Sequence, residues 1–136
     1  MGKAIAVTSE TAVQQQARLE LARRGGLPMR NNVGVAETND GRYVRFGLMN
    51  TSKQENERFK SSDIICPVPI VIGPEHVGRT VAVFGAFETK QSGWHLTPGD
   101  KRGHAQLKFI ELIRSVGGIA GFVSDPAHIA QLLDNW

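Results

Sequence analysis

The stretch Arg79-Thr80-Val81-Ala82-Val83-Phe84-Gly85-Ala86-Phe87-Glu88-Thr89-Lys90 runs through β-forming apolar residues and then turns abruptly polar. Its apolar part reads as the central strand of a sheet. Because strand side chains alternate, Glu88 and Lys90 share one face at its end while Thr89 points to the other. The preceding run, residues 63–72, is rich in Ile and Val, and Gly73-Pro74-Glu75-His76-Val77-Gly78 between the two reads as a hairpin loop. Pro67 and Pro69 cannot donate to a ladder, so the later half of that first run is expected at an edge or leaving the sheet.

Working outward, residues 91–103 form a loop containing Gly and Pro, and Ala105, Phe109, Leu112 and Val116 repeat at helical spacing over residues 104–116. Gly117-Gly118 stops that helix, residues 119–123 are a short strand, and Asp125-Pro126 caps and starts a last helix. Upstream, Ser9 is an N-cap for a helix over residues 10–24, ended by Gly25-Gly26. Glu10, Gln14, Ala17 and Leu21 fall within one stripe of it, which a neighbouring sheet would cover, whereas Glu20 lies about 80° from Glu10. Residues 27–36 are extended with a bend at Gly34, and Asn39-Asp40-Gly41 is a turn before a strand at residues 43–47. Residues 50–61 are polar and read as an exposed loop. The expected fold is therefore mixed α/β: a central mixed sheet flanked by helices in the order α-β-β-β-α-β, plus a C-terminal helix, forming one domain over residues 1–136.

Composition narrows the classes further. At 40% hydrophobic and 21% charged residues, the chain is neither disordered nor fibrous. No apolar run approaches the roughly 18 residues that span a bilayer, and Ala4-Ile5-Ala6-Val7 is too short for a signal peptide, so an intracellular protein is expected. Cys66 is the single cysteine, which excludes an internal disulfide and a multi-cysteine zinc site. His76, His95, His104 and His128 are too scattered for a metal site, and no phosphate-binding glycine loop or nucleophile elbow is present. Sixteen basic against 13 acidic residues give a net charge of +3, too small to assign a partner.

The chemistry-bearing candidates are oxygen donors. With 13 acids and six lysines, an acid two places before a lysine is expected by chance about 0.6 times, so Glu88-x-Lys90 means little alone. An antiparallel hairpin turning at residues 73–78, however, would bring Asp63 beside Glu88. Gln106 lies in the first turn of the following helix, and Glu10 lies on the inward stripe of the first. Asp63, Glu88 and Glu10 with a lysine at their edge suit Mg²⁺ or Mn²⁺, which prefer oxygen ligands and bind phosphate oxygens.

This ordered series resembles the PD-(D/E)XK nuclease superfamily, and within it the virus-type replication-repair nuclease (VRR-NUC) domains. The resemblance runs from Ser9-Glu10 and Gln14 through Arg30-Asn31-Asn32-Val33-Gly34, Ser61-Ser62-Asp63-Ile64-Ile65, Glu88-Thr89-Lys90, Gln106 and Phe109, to Gly117-Gly118 and Gly121-Phe122. Ser62 stands where the family has Pro, and Thr89 where it has an aliphatic residue; neither change removes a ligand.

The resemblance implies a restriction-endonuclease-like core and a metal held by Asp63, Glu88, Glu10 and the backbone carbonyl of Thr89. It implies that Lys90 orients the attacking water or stabilises phosphate charge, and that Gln106 holds a ligand, a water or the lysine. Glu20 is the competing helix carboxylate, and Glu10 is preferred for its spacing to Gln14. Similarity to stand-alone phage members implies a homodimeric DNA endonuclease acting on branched DNA such as Holliday junctions, in the host-cell cytoplasm. The alternatives are a nuclease of the same chemistry on linear or flapped DNA, a non-catalytic DNA-binding module, and a scaffold in which Glu88 and Lys90 form an ion pair.

Arg23, Arg24, Arg30, Arg42, Arg45, Lys101, Arg102 and Lys108 are the basic residues expected to meet DNA phosphates. Trp94, in the loop after Lys90, either stacks on a splayed base or tucks onto the core. Setting three of 13 acids and one of 16 basic residues aside in the site leaves +5 for the remaining surface.

Overall fold

A computed structural model describes residues 8–136; the short apolar run at residues 4–7 lies outside them. The protein is mixed α/β, and the described residues contain four α-helices and three two-stranded pairings. The chain divides into two compact units, one ending at Cys66 and one beginning at Pro67.

The first unit opens with α1 (Glu10–Arg23), whose N-cap Ser9 accepts a hydrogen bond from the Ala12 N–H. This satisfies one of the donors that a helix start leaves unpaired. Strands β2 (Gly34–Glu37) and β3 (Tyr43–Phe46) form an antiparallel hairpin with Val35 opposite Arg45. The turn between them is the expected one: Gly41 has φ +81°, which a residue with a side chain rarely adopts. The Asp40 carboxylate accepts from Thr38 Oγ1 and from Arg42, and these bonds hold its pKa below the ordinary range. The polar stretch after β3, expected as loop, contains the short helix α2 (Lys53–Arg58), because Ser52 accepts from the Glu55 N–H while the Glu55 carboxylate accepts from the Thr51 N–H.

Asn50 locks this unit. It is buried, its side-chain nitrogen donates to the carbonyls of Gly34 (2.8 Å) and Phe46 (2.9 Å), and its oxygen accepts from Arg45 (2.9 Å). Asn50→Asp would turn an oxygen toward those two carbonyls with no proton between them. It is expected to cost about 3 kcal/mol at neutral pH in urea denaturation. The new carboxyl, disfavoured as an anion, would have a raised folded-state pKa. The loss should therefore shrink as pH falls through that value, where the protonated group can donate again.

Strands β1 (Met29–Arg30) and β4 (Ile64–Ile65) pair antiparallel, with Arg30 opposite Ile64. Here the structure departs from the hairpin expected between residues 63–72 and 79–87. The first run pairs for only two residues, with β1, and Pro67 and Pro69 remove donors at alternate positions immediately afterwards. Pro74 then starts a 3₁₀ turn, Pro74–His76, instead of a tight hairpin.

The second unit is a βαβ unit with one helix added. Strand β5 (Gly85–Thr89) pairs in parallel with β6 (Ile119–Val123), Glu88 opposite Phe122, and α3 (Lys101–Ser115) makes the crossover. The end of the central apolar run thus pairs with a strand thirty residues later in sequence, not with the run before it. Helix α3 starts three residues earlier than its periodicity suggests, because Asp100 Oδ1 accepts from the Gly103 N–H (2.8 Å). It ends at Gly117, φ +94°, where the Gly118 N–H bonds back to the Ile113 carbonyl and the Gly117 N–H to that of Arg114. Ile110 and Ile113 of α3 and Ala120 of β6 form the buried centre. Asp125 caps α4 (Pro126–Asp134) as expected.

Candidate active site

Strand alternation delivers the expected side chains. Ala86, Glu88 and Lys90 are half-buried and Thr89 is exposed, with α3 packed against β5. Gln106, in the second turn of α3, reaches both members of the pair. Its Nε2 donates to Glu88 Oε1 at 2.8 Å, and its Oε1 accepts from Lys90 Nζ at 2.7 Å. Glu88 and Lys90 are thus linked through a neutral amide and not by a direct ion pair. The geometry also fixes the amide's orientation, because only one end can donate and only the other can accept. Glu88 Oε2 carries no hydrogen bond among the described residues, which leaves one carboxylate oxygen for a ligand.

Lys90 has aromatic neighbours that sequence reasoning left undecided. Its ammonium lies 4.9 Å from the centroid of the Trp94 ring and 5.9 Å from that of Phe122, and the two rings contact each other at 4.6 Å. Trp94 is half-buried, with its ring against Phe122 of β6.

The first unit carries the other candidates. Asp63 is exposed immediately before β4, and its carbonyl accepts from the Asn31 N–H at 2.8 Å. The Asn31 side chain extends that anchor: Nδ2 donates to Ser61 Oγ and to the Ser62 carbonyl, and Oδ1 accepts from the Leu48 N–H. Asn31 therefore holds the segment that presents Asp63. In the sequence this role is signalled only by an amide three residues after Pro28.

Glu10 is exposed in the first turn of α1, while Gln14, Ala17 and Leu21 along the same stripe are half-buried. Glu20 is differently placed. Both its oxygens are taken by Arg23, at 2.6 and 2.8 Å, and Oε1 also accepts from Arg24 at 2.9 Å. These guanidinium groups, Arg23 foremost, pull its pKa down to about 2. Its contribution to the helix is fully present above the ordinary carboxylate range and is lost as pH falls toward 2; solvent exposure and salt screening keep that contribution small. A carboxylate already neutralised by two arginines is a poor metal ligand, which favours Glu10.

Among the described residues, no three His, Cys, Asp or Glu side chains are gathered as a metal-binding group. Glu88, Lys90 and Gln106 meet in the second unit; Glu10 and Asp63 belong to the first. The basic residues also divide. Arg23 and Arg24 are engaged by Glu20, Arg42 by Asp40, and Arg45 by Asn50, whereas Arg30 stands exposed on β1 and Lys101, Arg102 and Lys108 along α3. No helix among the described residues is long and apolar enough to cross a membrane.

Neither the models of known protein families nor the curated proteins nor the solved structures compared with this chain give a match.

Proposed function

We propose that the chain is a Mg²⁺- or Mn²⁺-dependent DNA endonuclease with the PD-(D/E)XK core of the VRR-NUC type, working as a homodimer on branched DNA. The observation that carries this reading is the Glu88–Gln106–Lys90 relay at the end of β5. A scaffold that merely neutralised a buried pair would place the two charges in contact. Here an amide holds them apart, leaving an oxygen of Glu88 outside the relay.

A hard divalent cation would be held by oxygen donors, for which the candidates are Glu88 and the Thr89 carbonyl in the second unit and Asp63 and Glu10 in the first. Such a cation supplies Lewis-acid polarisation of phosphate and a more acidic water. The chain's own residues do the rest. Gln106 presents the Lys90 ammonium, whose three donors and fixed positive charge orient a water or meet charge growing on the phosphate. Asn31 fixes the backbone that bears Asp63. The exposed Lys101, Arg102 and Lys108 line the helix that carries Gln106 and contact phosphates without reading bases. A small chain has little surface for a DNA junction, so two copies would place two sites on opposing strands.

The test is cleavage of labelled four-way junction, flap and same-sequence linear duplex by the purified protein, with Mg²⁺, with Mn²⁺ and with chelator. Metal-dependent cutting of the junction at least tenfold faster than the linear duplex is expected. Equal rates on both would refute the branched substrate, and salt-sensitive binding without cutting under any metal would refute the enzyme.

A further inference from the structure

We propose that Trp94 is a positioning residue for Lys90: its ring, backed by Phe122, clamps the ammonium against Gln106. This rests on the nuclease reading for its consequence, though not for its geometry. A lysine side chain turns about four bonds, and a single hydrogen bond from Nζ to Gln106 Oε1 leaves the ammonium free to swing about that bond. The Trp94 ring face, 4.9 Å away, and Phe122, at 5.9 Å, attract the cation from other directions.

The ring is itself held. It contacts Phe122, which stands opposite Glu88 in the parallel pairing, and the Trp94 N–H donates to the Gln91 carbonyl across a turn at Gly93, φ +79°. The far end of the loop is tied by Asp100, whose N–H donates to the Thr97 carbonyl and whose carboxylate caps α3, and by His104 Nε2 against that same carbonyl. A loop fixed at both ends presents a rigid aromatic wall to the lysine.

Two substitutions separate a cation-holding ring from a packing residue. Trp94→Phe keeps a π face, and Trp94→Leu keeps apolar bulk without one. In metal-free protein labelled at lysine, the ε-methylene protons of Lys90 are expected well upfield of the other lysines through the ring current. That displacement should largely persist in Trp94→Phe and fall in Trp94→Leu to the smaller value that Phe122 sets alone. In cleavage, Trp94→Leu should lower kcat about tenfold with KM unchanged, while Trp94→Phe stays within about twofold.

An unshifted Lys90 in the native protein would overturn the proposal. So would a Trp94→Leu protein with native kcat, or one whose defect lies in KM, which would make Trp94 a DNA contact instead. If the native protein cuts no DNA, the nuclease reading fails by itself and the lysine spectrum still decides whether Trp94 holds Lys90.

Discussion

Lys90→Met is expected to reduce metal-dependent cleavage by on the order of 10²- to 10³-fold while leaving the fold and DNA affinity nearly intact. Removing one preorganised charge that meets the transition state typically has an effect of that size. Methionine fills the same channel between Trp94 and Gln106 with a flexible apolar chain, so packing is preserved. The Gln106 bond to Glu88 also survives, because it uses the other end of the amide. The cost to stability is then one unsatisfied, half-buried amide oxygen, about 1 kcal/mol. Asp63→Asn should behave similarly: cleavage lost with thermal stability kept, because the side chain is exposed and the change breaks no hydrogen bond of its carboxylate among the described residues. A scaffold role for these residues predicts the reverse, a drop in melting temperature with nothing lost in any assay of activity.

Ile113→Ala should carry the largest stability loss of any single truncation in the second unit, about 3–4 kcal/mol. Ile113 is fully buried, and the cost combines lost transfer free energy with the cavity left where α3 meets β6. Its surroundings cannot close that cavity cheaply. A methyl group built on Gly118 would lie 2.6 Å from Ile113 Cγ2 and 3.0 Å from the carbonyls of Ile113 and Phe84, so backbone already crowds the site from both sides. Against a total stability of roughly 5–15 kcal/mol, such a loss brings the protein near unfolding at moderate temperature. Leu112→Ala, one residue earlier but half-exposed, should cost about 1 kcal/mol or less. Urea denaturation followed by tryptophan emission checks both, and equal losses would show that the core has been misplaced.

Much of the second unit was legible because its signals are local. The Asp125 cap, the Gly117-Gly118 stop and the alternation placing Glu88 and Lys90 together each depend on a few adjacent residues, and each is found in the structure. The link through Gln106 followed from one more local fact, its place one turn into a helix that crosses back over the strand. The strand pairing did not follow. An apolar run gives strand propensity without naming its partner, and the nearest run in sequence is the default mate for residues 79–87. Pro67 and Pro69 deprive that nearer run of donors, whereas the parallel partner arrives only after α3 has reversed the chain. Asn50 and Asn31 escaped notice for a related reason. Much of their value lies in hydrogen bonds to backbone groups far along the chain, Gly34 for Asn50 and Leu48 and Ser62 for Asn31, and no periodicity announces these.

The central claim is that Glu88 and Asp63 are metal ligands and that Lys90, linked to Glu88 through Gln106, is a catalytic cation. Calorimetric titration of Mn²⁺ into the native protein, Glu88→Gln and Asp63→Asn tests it without any choice of DNA substrate. The account predicts saturable binding by the native protein and at least a tenfold loss of affinity in each variant, with circular dichroism unchanged. Indistinguishable isotherms for the three folded proteins would contradict it.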